Sequence, residues 1–247
     1  MNNNIDVFLE GNNQSIEKNL DKKYLLKKES LFKKALHYHE NGDLDQAIVF
    51  YKESINHGIV DERVLINLGA IYQGFSKFDI AIKLYSKVLE LNPNSSIAFA
   101  NLGLIYKEIG DLNKAEEFTK QSIFLSPNST DYACNLGIIL IQLNKLEEAK
   151  KFLNKAIELN KNNLNAYLNL ATLYNINGEK FNAKLALEKV IELNPNDATS
   201  YSNLGFVYIS LNELSSAERV LNQAIRLDPN LVNAYINISM LYFKIGK

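Results

Sequence analysis

Apolar residues recur along the chain in two alternating blocks. In one stretch Phe99, Leu102, Gly103, Ile105 and Tyr106 follow the three- and four-residue spacing of an amphipathic helix, and Gly110-Asp111 breaks the pattern. A second stripe, Ala115, Phe118, Ile123 and Leu125, ends at Ser126-Pro127-Asn128, where proline has no N–H to continue a helix. The pattern predicts two helices joined by a tight turn. A shift of 34 residues superimposes the chain on itself, bringing Leu68-Gly69, Leu102-Gly103, Leu136-Gly137, Leu170-Ala171 and Leu204-Gly205 into register without insertion or deletion. With the frame set at Lys28, six whole repeats start at Lys28, Glu62, Ser96, Thr130, Leu164 and Ala198, and a seventh begins at Val232. Each hairpin has apolar faces that only its neighbours cover, so the chain reads as a stacked array.

The columns of this array carry the packing. All four prolines, Pro93, Pro127, Pro195 and Pro229, end the second helix of a repeat. Alanine occupies one column of the second helix in all six whole repeats: Ala47, Ala81, Ala115, Ala149, Ala183 and Ala217. Such a column is expected where helices cross at roughly 8 Å and another methylene does not fit. Gly69, Gly103, Gly137 and Gly205 form the matching column of the first helix, where close packing must offset a helix cost of about 1 kcal/mol relative to alanine.

The recurrent Leu, Gly and Tyr of the first helix, with the Ala and Pro of the second, resemble the tetratricopeptide repeat over residues 28–247. Two departures stand out. The motif's first position is Leu31, Leu65, Phe99, Ala133, Tyr167, Tyr201 and Tyr235 where Trp is usual, and the first repeat has Lys34-Ala35 for Leu-Gly and Ile59 for Pro. The resemblance implies an all-α fold, a right-handed α-solenoid of antiparallel helix pairs whose first helices form the concave wall. It also implies that the residue before each Leu-Gly pair projects into the groove. Here that residue is Asn67, Asn101, Asn135, Asn169, Asn203 and Asn237, with Lys33 in the first repeat.

Helix propensity gives no reason to place asparagine six times at one mid-helix position. A carboxamide offers one acceptor and two donors, enough to pair with both the C=O and the N–H of an extended peptide. First helices about 10 Å apart would meet about every third residue of a chain rising roughly 3.3 Å per residue. The arrangement is similar to the asparagine ladder in the repeat superhelix of O-linked N-acetylglucosamine transferases. The competing reading, that these amides bridge adjacent helices, stays open at this point. The other inward columns are mostly apolar and supply the candidate groove-lining residues Ile66, Ala70, Leu104, Cys134, Ile138, Leu168, Thr172, Phe206 and Met240. They suit a ligand with occasional hydrophobic side chains or a partner helix. They leave no place for the Lys and Arg clamp with which repeat domains of chaperone cofactors hold a terminal carboxylate.

Composition narrows the partners to protein or peptide. A balance of 27 basic and 28 acidic residues gives no field to attract nucleic acid or an anionic membrane. No stretch approaches the roughly 20 apolar residues of a membrane span, and the start MNNNIDVFLEGNNQ lacks a secretion signal, so a cytoplasmic location is expected. Cys134 stands alone and reads as an inert thiol. His37 and His39 point to different faces of a helix and His57 lies beyond the next, so no metal site is expected. No glycine cluster suits a nucleotide, no cofactor is implied, and no acid–base or nucleophile set suggests an enzyme. Tyr38, Tyr72, Tyr106, Tyr174, Tyr208 and Tyr242 read as core without interleaved cations.

Residues 1–27 read as a polar tip followed by a capping helix from about Ser15. At the other end, the helix closing with Leu241-Tyr242-Phe243 has no second helix to cover it, so continuation in a longer protein or self-association through that helix is expected. Two functions remain: a scaffold binding an extended polypeptide or partner helix in its groove, or the substrate-recruiting arm of a larger glycosyltransferase or sulfotransferase.

Overall fold

A computed structural model describes residues 22–57 and 61–246. Among them are thirteen α-helices and no strand: α1 (Lys22–Glu40), α2 (Leu44–Asn56), α3 (Glu62–Gly74), α4 (Phe78–Leu91), α5 (Ser96–Glu108), α6 (Leu112–Leu125), α7 (Thr130–Gln142), α8 (Leu146–Leu159), α9 (Leu164–Ile176), α10 (Lys180–Leu193), α11 (Ala198–Ser210), α12 (Leu214–Leu227) and α13 (Val232–Lys244). From Lys22 onward no separate capping helix exists, because no proline or glycine interrupts the run into the first repeat. The start of that expected helix near Ser15, and Ile59, lie outside the described residues.

The single array expected from residue 28 divides into two compact units, Met1–Pro127 and Asn128–Lys247. In the first unit α1 pairs with α2, α3 with α4 and α5 with α6. In the second α7 pairs with α8, α9 with α10 and α11 with α12, and α13 lies against α11 and α12. Within each unit a second helix also touches the first helix of the following hairpin, as α4 touches α5 and α10 touches α11. Within each unit a hairpin is therefore covered by the one that follows it.

The hairpins close on the small-residue columns. All six alanines of the second helices have no exposed surface. A methyl on Gly69 would lie 2.8 Å from Tyr85, one on Gly137 2.6 Å from Leu153, and one on Gly205 2.5 Å from Leu221, while Gly103 faces Thr119 just as closely. Each partner stands sixteen residues after its glycine. In the fifth repeat Ala171, 4% exposed, stands opposite Leu187 and shows that one methyl can be fitted where the neighbours allow it.

The turns obey a second column. Gly42, Ser76, Gly110, Asn144, Gly178, Asn212 and Gly246 all have positive φ, from 56° to 86°. This left-handed residue ends the first helix, and the next N–H returns to the carbonyl of the motif tyrosine, as Asp43 N donates to Tyr38 O at 2.9 Å and Glu213 N to Tyr208 O at 2.9 Å. Five first helices, α3, α5, α7, α9 and α11, start on side-chain caps, among them Ser95 Oγ accepting from Ala98 N and Asn163 Oδ1 from Ala166 N.

A branched side chain at a contact glycine should be costly. Gly205→Val is expected to lower the stability of the chain by about 2 kcal/mol or more, since two methyls would press on Leu221 and overpacking of this kind typically costs 1–3 kcal/mol. Urea unfolding followed by far-ultraviolet circular dichroism measures it.

Candidate functional site

The six asparagines stand at one position of α3, α5, α7, α9, α11 and α13, but their amides do different things. Asn67 Nδ2 donates to Tyr51 Oη at 3.1 Å, bridging α3 to α2. Asn237 Nδ2 donates to both Ser202 O and Ser202 Oγ at 3.1 Å, bridging α13 to α11. Asn169 Nδ2 turns back on its own helix to Asn165 O at 2.7 Å. Asn101, Asn135 and Asn203 make no side-chain hydrogen bond among the described residues, and no buried side-chain nitrogen or oxygen lacks a partner, so these three carboxamides face solvent. Asn203 is exposed and the other five are half-buried. The bridging reading therefore holds for Asn67 and Asn237, while Asn101, Asn135 and Asn203 are left open to solvent.

In the second unit Leu168 and Thr172 of α9, Asn203 and Phe206 of α11 and Asn237 of α13 surround one hollow of about 280 Å³. Six further residues line it, among them Asn175, Ile176 and Asn233. Asn175 follows Leu168 by seven positions, Ile176 is 56% exposed beside it, and Asn233 precedes Asn237 by one helical turn. The helical period read along each first helix, rather than down the columns, would have found them. No ionisable side chain lines the hollow, so its polar capacity is entirely amide and hydroxyl. Asn135, Asn169, Ile138 and Met240 lie outside its lining, Ile138 half-buried on α7 and Met240 exposed on α13. In the first unit Ile66, Asn67, Asn101 and Leu104 are half-buried and Ala70 is exposed.

Cys134 departs from the groove-lining expectation. It is 4% exposed, and Ala100 and Ser202, at the same position of their own repeats, are buried as well. Burial pushes its thiol up to about 11, with the charge of Asp131 adding to the effect.

The tyrosine column also differs from the expected core. Tyr72 and Tyr208 are buried, whereas Tyr38, Tyr106, Tyr174 and Tyr242 are half-covered, and lysines lie over several of the rings. Lys150 Nζ is 4.9 Å from the Tyr174 ring centre and 3.5 Å from Glu179, and Lys184 Nζ is 5.1 Å from the Tyr208 ring and 3.0 Å from Glu213. Lysine, ring and carboxylate thus recur as a staple between a second helix and the following hairpin, each cation–π contact contributing about 0.5–1 kcal/mol. Burial first, then the hydrogen bond given to Glu188, pushes Tyr208 up to about 12.

Models of the tetratricopeptide repeat match residues 28–56, 62–95 and 130–163 in one form, and 84–117, 152–184 and 186–219 in another. The chain belongs to the tetratricopeptide-repeat family. No match is found among curated proteins. Solved tetratricopeptide-type structures resemble it: MamA, 28% identical, with a TM-score of 0.61 over 68% of this chain and 92% of that one, and PilF of Pseudomonas aeruginosa, 19% identical, with a TM-score of 0.75 over 92% and 100%. YrrB, described as a tetratricopeptide protein with an unusual peptide-binding site, is 22% identical, with a TM-score of 0.63 over 76% and 97%. At such identities PilF and YrrB show the fold alone. Among the described residues no group of three His, Cys, Asp or Glu is placed to hold a metal ion, and no helix is long and apolar enough to cross a membrane.

Burial of the thiol has a measurable consequence. At neutral pH Cys134 is expected to react with iodoacetamide at least about a hundredfold more slowly than a free cysteine, and to reach the free rate in denaturant. Labelling followed by intact mass spectrometry gives both rates.

Proposed function

We propose that this tetratricopeptide protein is a noncatalytic scaffold that holds an extended segment of another polypeptide along its first helices. The observation that carries the reading is the solvent-facing carboxamide found at this position in each unit by itself, Asn101 in the first and Asn135 and Asn203 in the second, where helix propensity does not call for asparagine. Each can accept from a peptide N–H and donate to a peptide C=O, and Leu168, Ile176 and Phe206 beside Asn203 offer an apolar seat for a side chain. A hydrogen bond nets roughly 0.5–1.5 kcal/mol, so a few such pairs with one buried side chain support micromolar binding. Asn67 and Asn237 serve the scaffold itself, each tying one helix to another.

A library of unstructured peptides panned against the full chain supplies the probe. Asn135→Ala with Asn203→Ala should weaken the selected peptide about tenfold or more while changing stability by less than about 0.5 kcal/mol. Asn67→Ala should instead lower stability by about 1 kcal/mol. Equal affinity of the double variant and the native chain for the selected peptide, or no enriched peptide at all, overturns the reading.

A second reading concerns α13, on which Val232, Tyr235, Ile236, Met240 and Phe243 are 67, 45, 52, 43 and 88% exposed. Such a row supports association of two copies through α13. Sedimentation equilibrium is expected to show a concentration-dependent dimer that Phe243→Ser with Ile236→Ser abolishes, and a monomer at every concentration would refute it.

A further inference from the structure

We propose a second binding site in the same unit, on the opposite face of α11 from the asparagine hollow, that takes an acidic polypeptide segment carrying an apolar side chain between its carboxylates. A hollow of about 430 Å³ is lined there by Ile191 of α10, Tyr201 and Leu204 of α11, and Arg219, Val220 and Arg226 of α12. It shares no residue with the amide-lined hollow.

The repeat register shows what is unusual about it. Down the column of Arg226 the other repeats carry Asn56, Glu90, Phe124, Glu158 and Glu192, so a guanidinium stands where three repeats have a carboxylate. In the second and fifth repeats the glutamate pairs with the lysine three residues before it, Lys87 to Glu90 at 2.7 Å and Lys189 to Glu192 at 2.6 Å. Here Gln223 replaces that lysine, and Arg226 Nη2 donates to Gln223 Oε1 at 2.6 Å. The local ion pair has been exchanged for an amide that leaves the positive charge uncompensated. Arg219, one of only three arginines in the chain, is the second cation. Neither arginine enters an ion pair among the described residues, and both side chains are exposed. Glu188 also lines the hollow, its Oε1 accepting from the Tyr208 hydroxyl at 2.9 Å, so the lining carries two positive charges against one negative.

The two guanidiniums lie seven residues apart on α12, about 10.5 Å along the helix axis. Carboxylates three residues apart on a chain in the polyproline II conformation lie on one face and span about 9 Å, and each presents the planar pair of acceptors that a guanidinium fork matches. An apolar side chain would rest against Ile191 and the Tyr201 ring, over a floor formed by the buried Leu204 and Val220. Charge and apolar surface therefore select the same ligand.

The probe is the capped peptide Gly-Asp-Leu-Phe-Glu-Gly, its isostere with Asn and Gln in place of Asp and Glu, and inorganic phosphate, each titrated into the full chain by amide NMR. The acidic peptide should shift the signals of α12 and of Tyr201 and weaken steeply as salt is added, while the isostere should bind at least about tenfold more weakly. Gln223→Lys with Arg226→Glu rebuilds the ion pair that other repeats already hold, so it keeps the fold, and it should lose the peptide by about tenfold or more. Asn135→Ala with Asn203→Ala should leave this binding unchanged, which separates failure of this site from failure of the groove. Equal binding of peptide and isostere, equal binding by the rebuilt-pair variant, shifts from phosphate as strong as those from the peptide, or no shifts at all would overturn the proposal.

Discussion

Everything in these two units depends on how closely the two helices of a hairpin approach. The glycine of the first helix meets a side chain sixteen residues later at a distance that leaves no room for a methyl, and the buried alanine of the second helix completes the contact. Glycine weakens a helix in isolation, so its presence at four hairpins means that tertiary packing outweighs local preference there. The same approach sets the direction of each turn, where one left-handed residue sends the chain back. It also decides which face of the first helix turns away from its partner. The asparagines precede that contact by two positions and fall on the free side.

Between hairpins the interactions are softer. Apolar burial covers each face with the next repeat, and a lysine lying on a tyrosine ring and reaching a glutamate of the following hairpin adds a charge-assisted tie. Such exposed pairs contribute little singly, and their recurrence at Lys150 and Lys184 fixes the register of one hairpin on the next more than it adds stability.

Helix positions, turn positions and the glycine and alanine columns were legible because a period of 34 repeats each signal several times, so that chance matches cancel. The division at Pro127 was not legible: the columns continue through it without a gap, and only the helix contacts reveal it. The same averaging concealed differences among equivalent residues. Asn67, Asn169 and Asn203 share a column, yet one bridges helices, one folds onto its own backbone and one is free, because Tyr51 has its hydroxyl within reach only of the first. Cys134 read as groove-lining from its column, but its small side chain sinks into the wall where Leu168 of the same column protrudes. Asn175 and Asn233 escaped notice because a comparison down columns passes over residues that matter in one repeat only.

The hollow bounded by Asn203, Asn237 and Phe206 contains nothing that gains or loses a proton in ordinary water. A guest resting there would be held by shape, amide dipoles and the expulsion of water from hydrocarbon, forces that dissolved ions barely screen. Occupancy of that cavity would then follow the concentration of its ligand and hardly register a swing in acidity or osmolyte salt, so that control over it must come from making or removing the guest.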